Sequence, residues 1–170
     1  MSIVIYLLLL YSFSAMLFDL KTDKIPNYLV ALELAGGLAY QLYIFGLMGI
    51  LSFLGGIVVP FLLSYALFLF RMIGAGDIKL LMALGSVAGY PRNLKTMLWS
   101  VICGAVISVF IMWRRTGFKP RLSYLISYVR DFVRSGVRKP YRREGRGAEN
   151  FHFTAAIFAA VLVLALTRTL

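Results

Sequence analysis

The sequence predicts an all-α, polytopic membrane protein: a bundle of about six transmembrane helices with one basic cytoplasmic loop, read as a single domain over residues 1–170. Three observations carry this. Of the 170 residues, 61% are hydrophobic and the mean hydropathy is +0.83, well above the roughly 45–50% apolar content of a soluble domain. The apolar residues gather into runs near the length that crosses a hydrocarbon core, about 20 residues. The basic residues, which leave a formal net charge of +11, fall mostly between those runs. In a soluble chain that charge would point to nucleic acid. In a membrane chain an excess of Lys and Arg records orientation, so no nucleic-acid partner is expected.

The runs are approximately Ser2–Phe18, Tyr28–Phe45, Met48–Phe70, Ile78–Tyr90, Thr96–Trp113 and Phe151–Leu166, each bounded by charge, proline or glycine. The first lacks the basic start and small-residue cleavage site of a secretory signal and reads as a retained span. Pro26 and Asn27 read as the end of a loop and the start of the second helix. The fourth run, at about 13 residues, is short for a span, which leaves a re-entrant segment as the alternative. Charge decides between them. With six spans, Lys21, Lys24, Arg71, Lys79 and the eleven basic residues between Arg114 and Arg146 share one face, fifteen against the three opposite, Arg92, Lys95 and Arg168. If the fourth run does not cross, the split is eleven against seven. The positive-inside rule selects six spans in a cell membrane with both termini outside, and it places the loops carrying Asp19 and Asp77 together on the cytoplasmic face. Gly85 and Gly89, four apart, read as a small-residue packing stripe on the fourth helix.

Residues 114–150 form the basic cytoplasmic loop. Within it Leu122, Leu125, Ile126, Val129, Phe132 and Val133 recur at helical spacing, while Arg130, Arg134 and Arg138 step by four along another face. Arg121–Val137 is thus a predicted amphipathic helix lying among anionic lipid headgroups, either as a topology anchor or as a substrate-docking element. Lys139–Asn150 reads as flexible.

Composition narrows the chemistry. The one cysteine, Cys103, lies in an apolar run and reads as packing, and the one histidine, His152, opens the last span and reads as an interfacial residue. Neither a disulfide framework nor a cysteine- or histidine-based metal site can be built from them, so no metal or other cofactor is expected. Acids are few: Asp19, Asp23, Glu33, Asp77, Asp131, Glu144 and Glu149. The last three sit among Arg and Lys and read as solvated or paired. Asp19 and Asp77 sit at membrane borders, where a charge needs a partner or a task. The plain reading pairs them with Lys21, Lys24 and Lys79. The chemical one places two carboxyls together, where one keeps a proton while the other activates a water, a combination that hydrolyses amides. Gly74-Ala75-Gly76 before Asp77 would let the backbone turn tightly and another chain approach the carboxyl, or else serve only helix packing.

Two segments together resemble the prepilin peptidases, the GxGD-type aspartic membrane proteases that process type IV pilins and archaeal flagellins. Phe18-Asp19-Leu20-Lys21-Thr22-Asp23-Lys24-Ile25-Pro26-Asn27 is similar to that family's first-aspartate segment, and Gly74-Ala75-Gly76-Asp77-Ile78-Lys79-Leu80 to its GxGD segment followed by lysine. The resemblance covers most of the membrane core and is weak in the basic loop and last helix. It implies that Asp19 and Asp77 are the catalytic pair, that Asp23 is not the first member, and that Gly74, Gly76 and Lys79 support the site. It also implies a prepilin-like or preflagellin protein substrate, whose short basic leader is cut before its hydrophobic segment. The chain lacks the cysteine-rich domain of the larger bacterial members, so peptidase activity without methyl transfer is expected. Glu33 reads as orienting an aspartate, as holding the basic leader, or simply as pairing with Lys24. Rival readings are a small ion- or proton-coupled transporter, which predicts acids at mid-span, a non-catalytic assembly scaffold, and a protease of presenilin type with a deeper aspartate pair.

Overall fold

The computed structural model describes residues 2–69, 73–115 and 152–167. Among them are six α-helices and no strand: α1 (Ser2–Thr22), α2 (Asn27–Phe45), α3 (Met48–Leu69), α4 (Ala75–Ala88), α5 (Tyr90–Arg115) and α6 (Phe153–Leu166). Four of them, α1, α2, α3 and α5, are long and apolar enough to cross a membrane, and α6 is a shorter apolar helix. The chain divides into two compact units, one of Met1–Gly104 with His152–Leu170, the other of Ala105–Phe151. Of the second unit the described residues are the end of α5. The predicted amphipathic helix at Arg121–Val137, the Lys139–Asn150 stretch and the acids Asp131, Glu144 and Glu149 lie outside the described residues.

In the first unit α4 is the central helix, packed against α1, α2, α3 and α6. Nine of its fourteen residues are buried, including Leu80, Leu81, Leu84 and Val87. Leu8 and Ala15 of α1 and Ile157, Val161 and Leu164 of α6 complete the core. Fourteen residues rise only about 21 Å in a helix, less than the hydrocarbon thickness of about 30 Å. Such a helix is viable inside the bundle because its ends meet protein groups and not lipid. The Gln41 amide of α2 donates to the Val87 carbonyl (2.9 Å) in the last turn of α4, and the Asn93 amide of α5 donates to the Leu81 carbonyl (3.0 Å). Leu51 and Leu62 of α3 and Leu98 and Val101 of α5 are exposed, as expected of surfaces that face acyl chains.

Several predicted borders move. Helix α1 continues past Phe18 to Thr22, and α4 starts at Ala75, so Asp19 and Asp77 sit on helix ends and not in loops. Helix α5 starts at Tyr90, ahead of the apolar run, and its first turn carries the buried Asn93, whose amide bonds to α4. Gly85 and Gly89 both pack closely on α3, where a Cβ would overlap the Gly56 carbonyl and meet Ser52 Oγ; Gly89 also ends α4 with φ +76°, its N–H donating to the Gly85 carbonyl. Pro26 precedes α2 in extended conformation, as the sequence suggests.

Candidate active site

Asp19 lies one turn from the end of α1. That helix stops where Asp23 enters the left-handed region (φ 54°) and its N–H closes on the Asp19 carbonyl (2.9 Å). Asp is one of the few non-glycine residues that tolerates this conformation. The short connection that follows turns back into α2 and buries Ile25 against the first turn of α4. A methyl group placed on Gly76 would stand 3.5 Å from Ile25 Cγ1, in ordinary contact. Beside it, Lys79 Nζ donates to Asn27 Oδ1 (2.7 Å). The two motif segments therefore interlock through Ile25 on Gly76 and Asn27 on Lys79, which brings the end of α1 and the start of α4 to one place.

Asp77 is in the first turn of α4, ahead of the apolar run that begins at Ile78. Its Oδ2 accepts the Gly74 N–H (3.3 Å), and glycine has no side chain to return the bond, so only half of a reciprocal cap exists. Gly74 has φ −76° and ψ 153°, open to any residue, so no tight turn requires glycine here. What glycine supplies is room: a Cβ on Gly74 would stand 3.2 Å from Asp77 Oδ2. Burial pushes the Asp77 carboxyl up from 3.8 to about 6. The Gly74 N–H opposes that rise, the negative charge of Asp19 adds to it, and His152 opposes it. A carboxyl in this setting holds a proton far more readily than a free aspartate.

The lysine partners expected for the border aspartates are not the ones formed. Asp19 Oδ2 accepts the Thr154 hydroxyl (2.6 Å) and lies 3.0 Å from His152 Nδ1. The side chains of Asp19 and His152 are 15% and 24% exposed, while Asp23, whose Oδ1 lies 3.7 Å from His152 Nε2, is 77% exposed. His152 and Thr154 are the site residues that the sequence did not reveal. Glu33 is only 2% exposed; its Oε1 accepts the Ser14 hydroxyl (3.1 Å), and Oε2 is buried with no hydrogen-bond partner. Its partner is thus Ser14 and not Lys24, five residues below Asp19 or about 7–8 Å along α1. Among the described residues no three His, Cys, Asp or Glu side chains converge as a metal-binding set.

No curated protein and no solved structure matches the chain. The type IV leader peptidase family does match, over residues 3–109, a stretch that holds both aspartate segments and five of the six described helices in whole or in large part. An all-helical, multi-pass membrane protein whose matched residues cover well over half its length, this chain belongs to the type IV leader peptidase family.

Proposed function

We propose that the protein is an aspartic, metal-independent endopeptidase that removes the short basic leader of a prepilin-like or preflagellin substrate at the cytoplasmic membrane face, with Asp19 and Asp77 as its catalytic pair. The observation that carries this reading is the interlock of the two motif segments, which sets Asp77 within electrostatic reach of Asp19. A protonated Asp77 polarises the scissile carbonyl while ionised Asp19 accepts a proton from the attacking water. The tetrahedral intermediate then collapses as a proton passes to the departing amine. Gly74 leaves room beside the Asp77 carboxyl, Gly76 lets Ile25 pack on the first turn of α4, and Lys79 ties α4 to the start of α2. The fifteen-to-three distribution of basic residues supports a cytoplasmic location for this end of the bundle, with both termini outside. The same proposal takes residues 1–170 as one peptidase domain, with the 114–150 loop, rich in Arg and Lys, on anionic headgroups.

The test is leader removal from a tagged prepilin-like substrate co-expressed in membranes, followed as a mobility shift. Asp19→Asn and Asp77→Asn are expected to abolish cleavage at unchanged accumulation, Asp23→Asn to retain it, and chelator to have no effect. Cleavage by either of the first two variants overturns the pair assignment. Activity lost to chelator and restored by a divalent cation overturns metal independence.

A further inference from the structure

We propose that His152 and Thr154, at the start of the last helix, are the positioning residues of Asp19: they hold its Oδ2 so that Oδ1 alone meets the attacking water, which makes Asp19 the base of the pair and Asp77 the acid. The inference rests on the aspartic-pair reading and assigns a task to residues outside the stretch that the family match covers.

Both contacts fall on the same oxygen, at 2.6 Å from Thr154 Oγ1 and 3.0 Å from His152 Nδ1. Thr154 is 1% exposed, so its hydroxyl sits away from bulk water. His152 occupies the N-cap position of α6, yet its side chain makes no cap hydrogen bond to that helix. It turns to Asp19 instead. With Nδ1–H and Oγ1–H both donating, every contact on Oδ2 is a hydrogen bond to an ionised carboxylate, and both donors belong to the helix end that favours an anion. A carboxylate pinned through one oxygen cannot rotate without breaking two bonds, so its other oxygen keeps a fixed direction, the condition for a general base to meet its proton. Acidic groups surround the imidazole: Asp19 and Asp23 from the end of α1, and Asp77 from α4, on which its charge acts. The assignment also separates two chemically identical carboxyls. Asp77 has one backbone donor, at 3.3 Å, against two side-chain donors on Asp19.

The imidazole geometry gives a test with internal controls. An Asn amide places its nitrogen where His Nδ1 stands, whereas a Gln amide reaches the Nε2 position. Thr154→Val keeps shape and burial but loses the donor, and Thr154→Ser keeps the donor. The full-length chain in membranes is assayed for cleavage of the same prepilin-like substrate, with kcat and KM separated. His152→Ala and Thr154→Val are expected to lower kcat roughly 10- to 100-fold with KM within about twofold, the scale on which a misplaced catalytic group is felt. His152→Asn and Thr154→Ser are expected to recover most of the rate, and His152→Gln not to. Wild-type rates in His152→Ala and Thr154→Val, with Asp19→Asn inactive, overturn the positioning role and leave the pair standing. Thr154→Ser as poor as Thr154→Val at equal accumulation overturns it as well. Cleavage by Asp19→Asn instead overturns the pair itself.

Discussion

Replacing Asp77 by Asn is expected to make the protein more stable at neutral pH while ending its activity, and the size of the effect follows from the site. Folding lifts the Asp77 carboxyl from 3.8 to about 6, chiefly by burial. Between those values the folded chain binds more protons than the unfolded one, so unfolding free energy falls as pH rises through that window and is level above it. At about 1.36 kcal/mol per pH unit the charged form costs up to about 3 kcal/mol above pH 6. Water at the open side of the carboxyl screens part of this, leaving about 2 kcal/mol. Asn keeps the acceptor for the Gly74 N–H and removes the charge. Thermal unfolding in detergent micelles, at one scan rate, is expected to show Asp77→Asn higher by roughly 4–8 °C at pH 7.5, with the gap closing toward pH 4. A variant no more stable than wild type at pH 7.5, or a gap of equal size at pH 4 and pH 7.5, would refute the buried-acid account of Asp77.

Further expectations concern glycines. A methyl group on Gly85 would overlap the Gly56 carbonyl oxygen, whereas one on the adjacent Gly55 would meet only Tyr90 Cβ, at 3.5 Å. Gly85→Ala is therefore expected to lower stability by about 1–3 kcal/mol, and Gly55→Ala to leave melting unchanged or raise it slightly; the reverse order would contradict the α3–α4 contact. Gly76→Ala places its methyl 3.5 Å from Ile25 Cγ1, in ordinary contact, so it is expected to accumulate and to melt within about 0.5 kcal/mol of wild type. A clear drop in its melting temperature would contradict the Ile25–Gly76 contact. Glu33→Gln, which keeps the shape and an acceptor for Ser14, is expected to leave KM for a basic leader within about twofold, since Glu33 is buried; a rise of tenfold would restore a leader-holding role.

The helices were legible because their apolar runs are long, and the aspartates because two short segments carry unusual residue combinations. The borders were less legible for a physical reason: hydropathy reports where lipid begins, not where a helix ends. Lys21 and Thr22 read as loop, yet α1 carries them past the apolar run. Residues 91–95 lie outside the apolar runs, yet α5 includes them and buries Asn93. The role of His152 was hidden for another reason. It meets Asp19 across 133 positions of sequence, and nothing in local spacing distinguishes a histidine that opens a span as an interfacial residue from one that turns back onto a carboxylate.

The same distinction between lipid and protein surroundings explains what fixes the position of Asp77. A helix as short as α4 takes no depth from the bilayer, so its depth is determined by hydrogen bonds and close contacts at both ends. At one end stand Ile25 on Gly76 and Lys79 on Asn27. Toward the other, Gln41 and Asn93 hold the Val87 and Leu81 carbonyls. Between them α3 contributes through a defect of its own. Pro60 lies inside α3 and has no N–H to offer the carbonyl four residues earlier, that of Gly56. The freed oxygen packs against Gly85, with the Asn93 amide beside it, a close approach that small residues permit and that fixes one helix along another. Val87 stands ten residues, or about 15 Å, from Asp77 along a rigid helix. A loss of register at that far, apolar end is therefore transmitted undiminished to the carboxyl of Asp77, the proposed partner of Asp19.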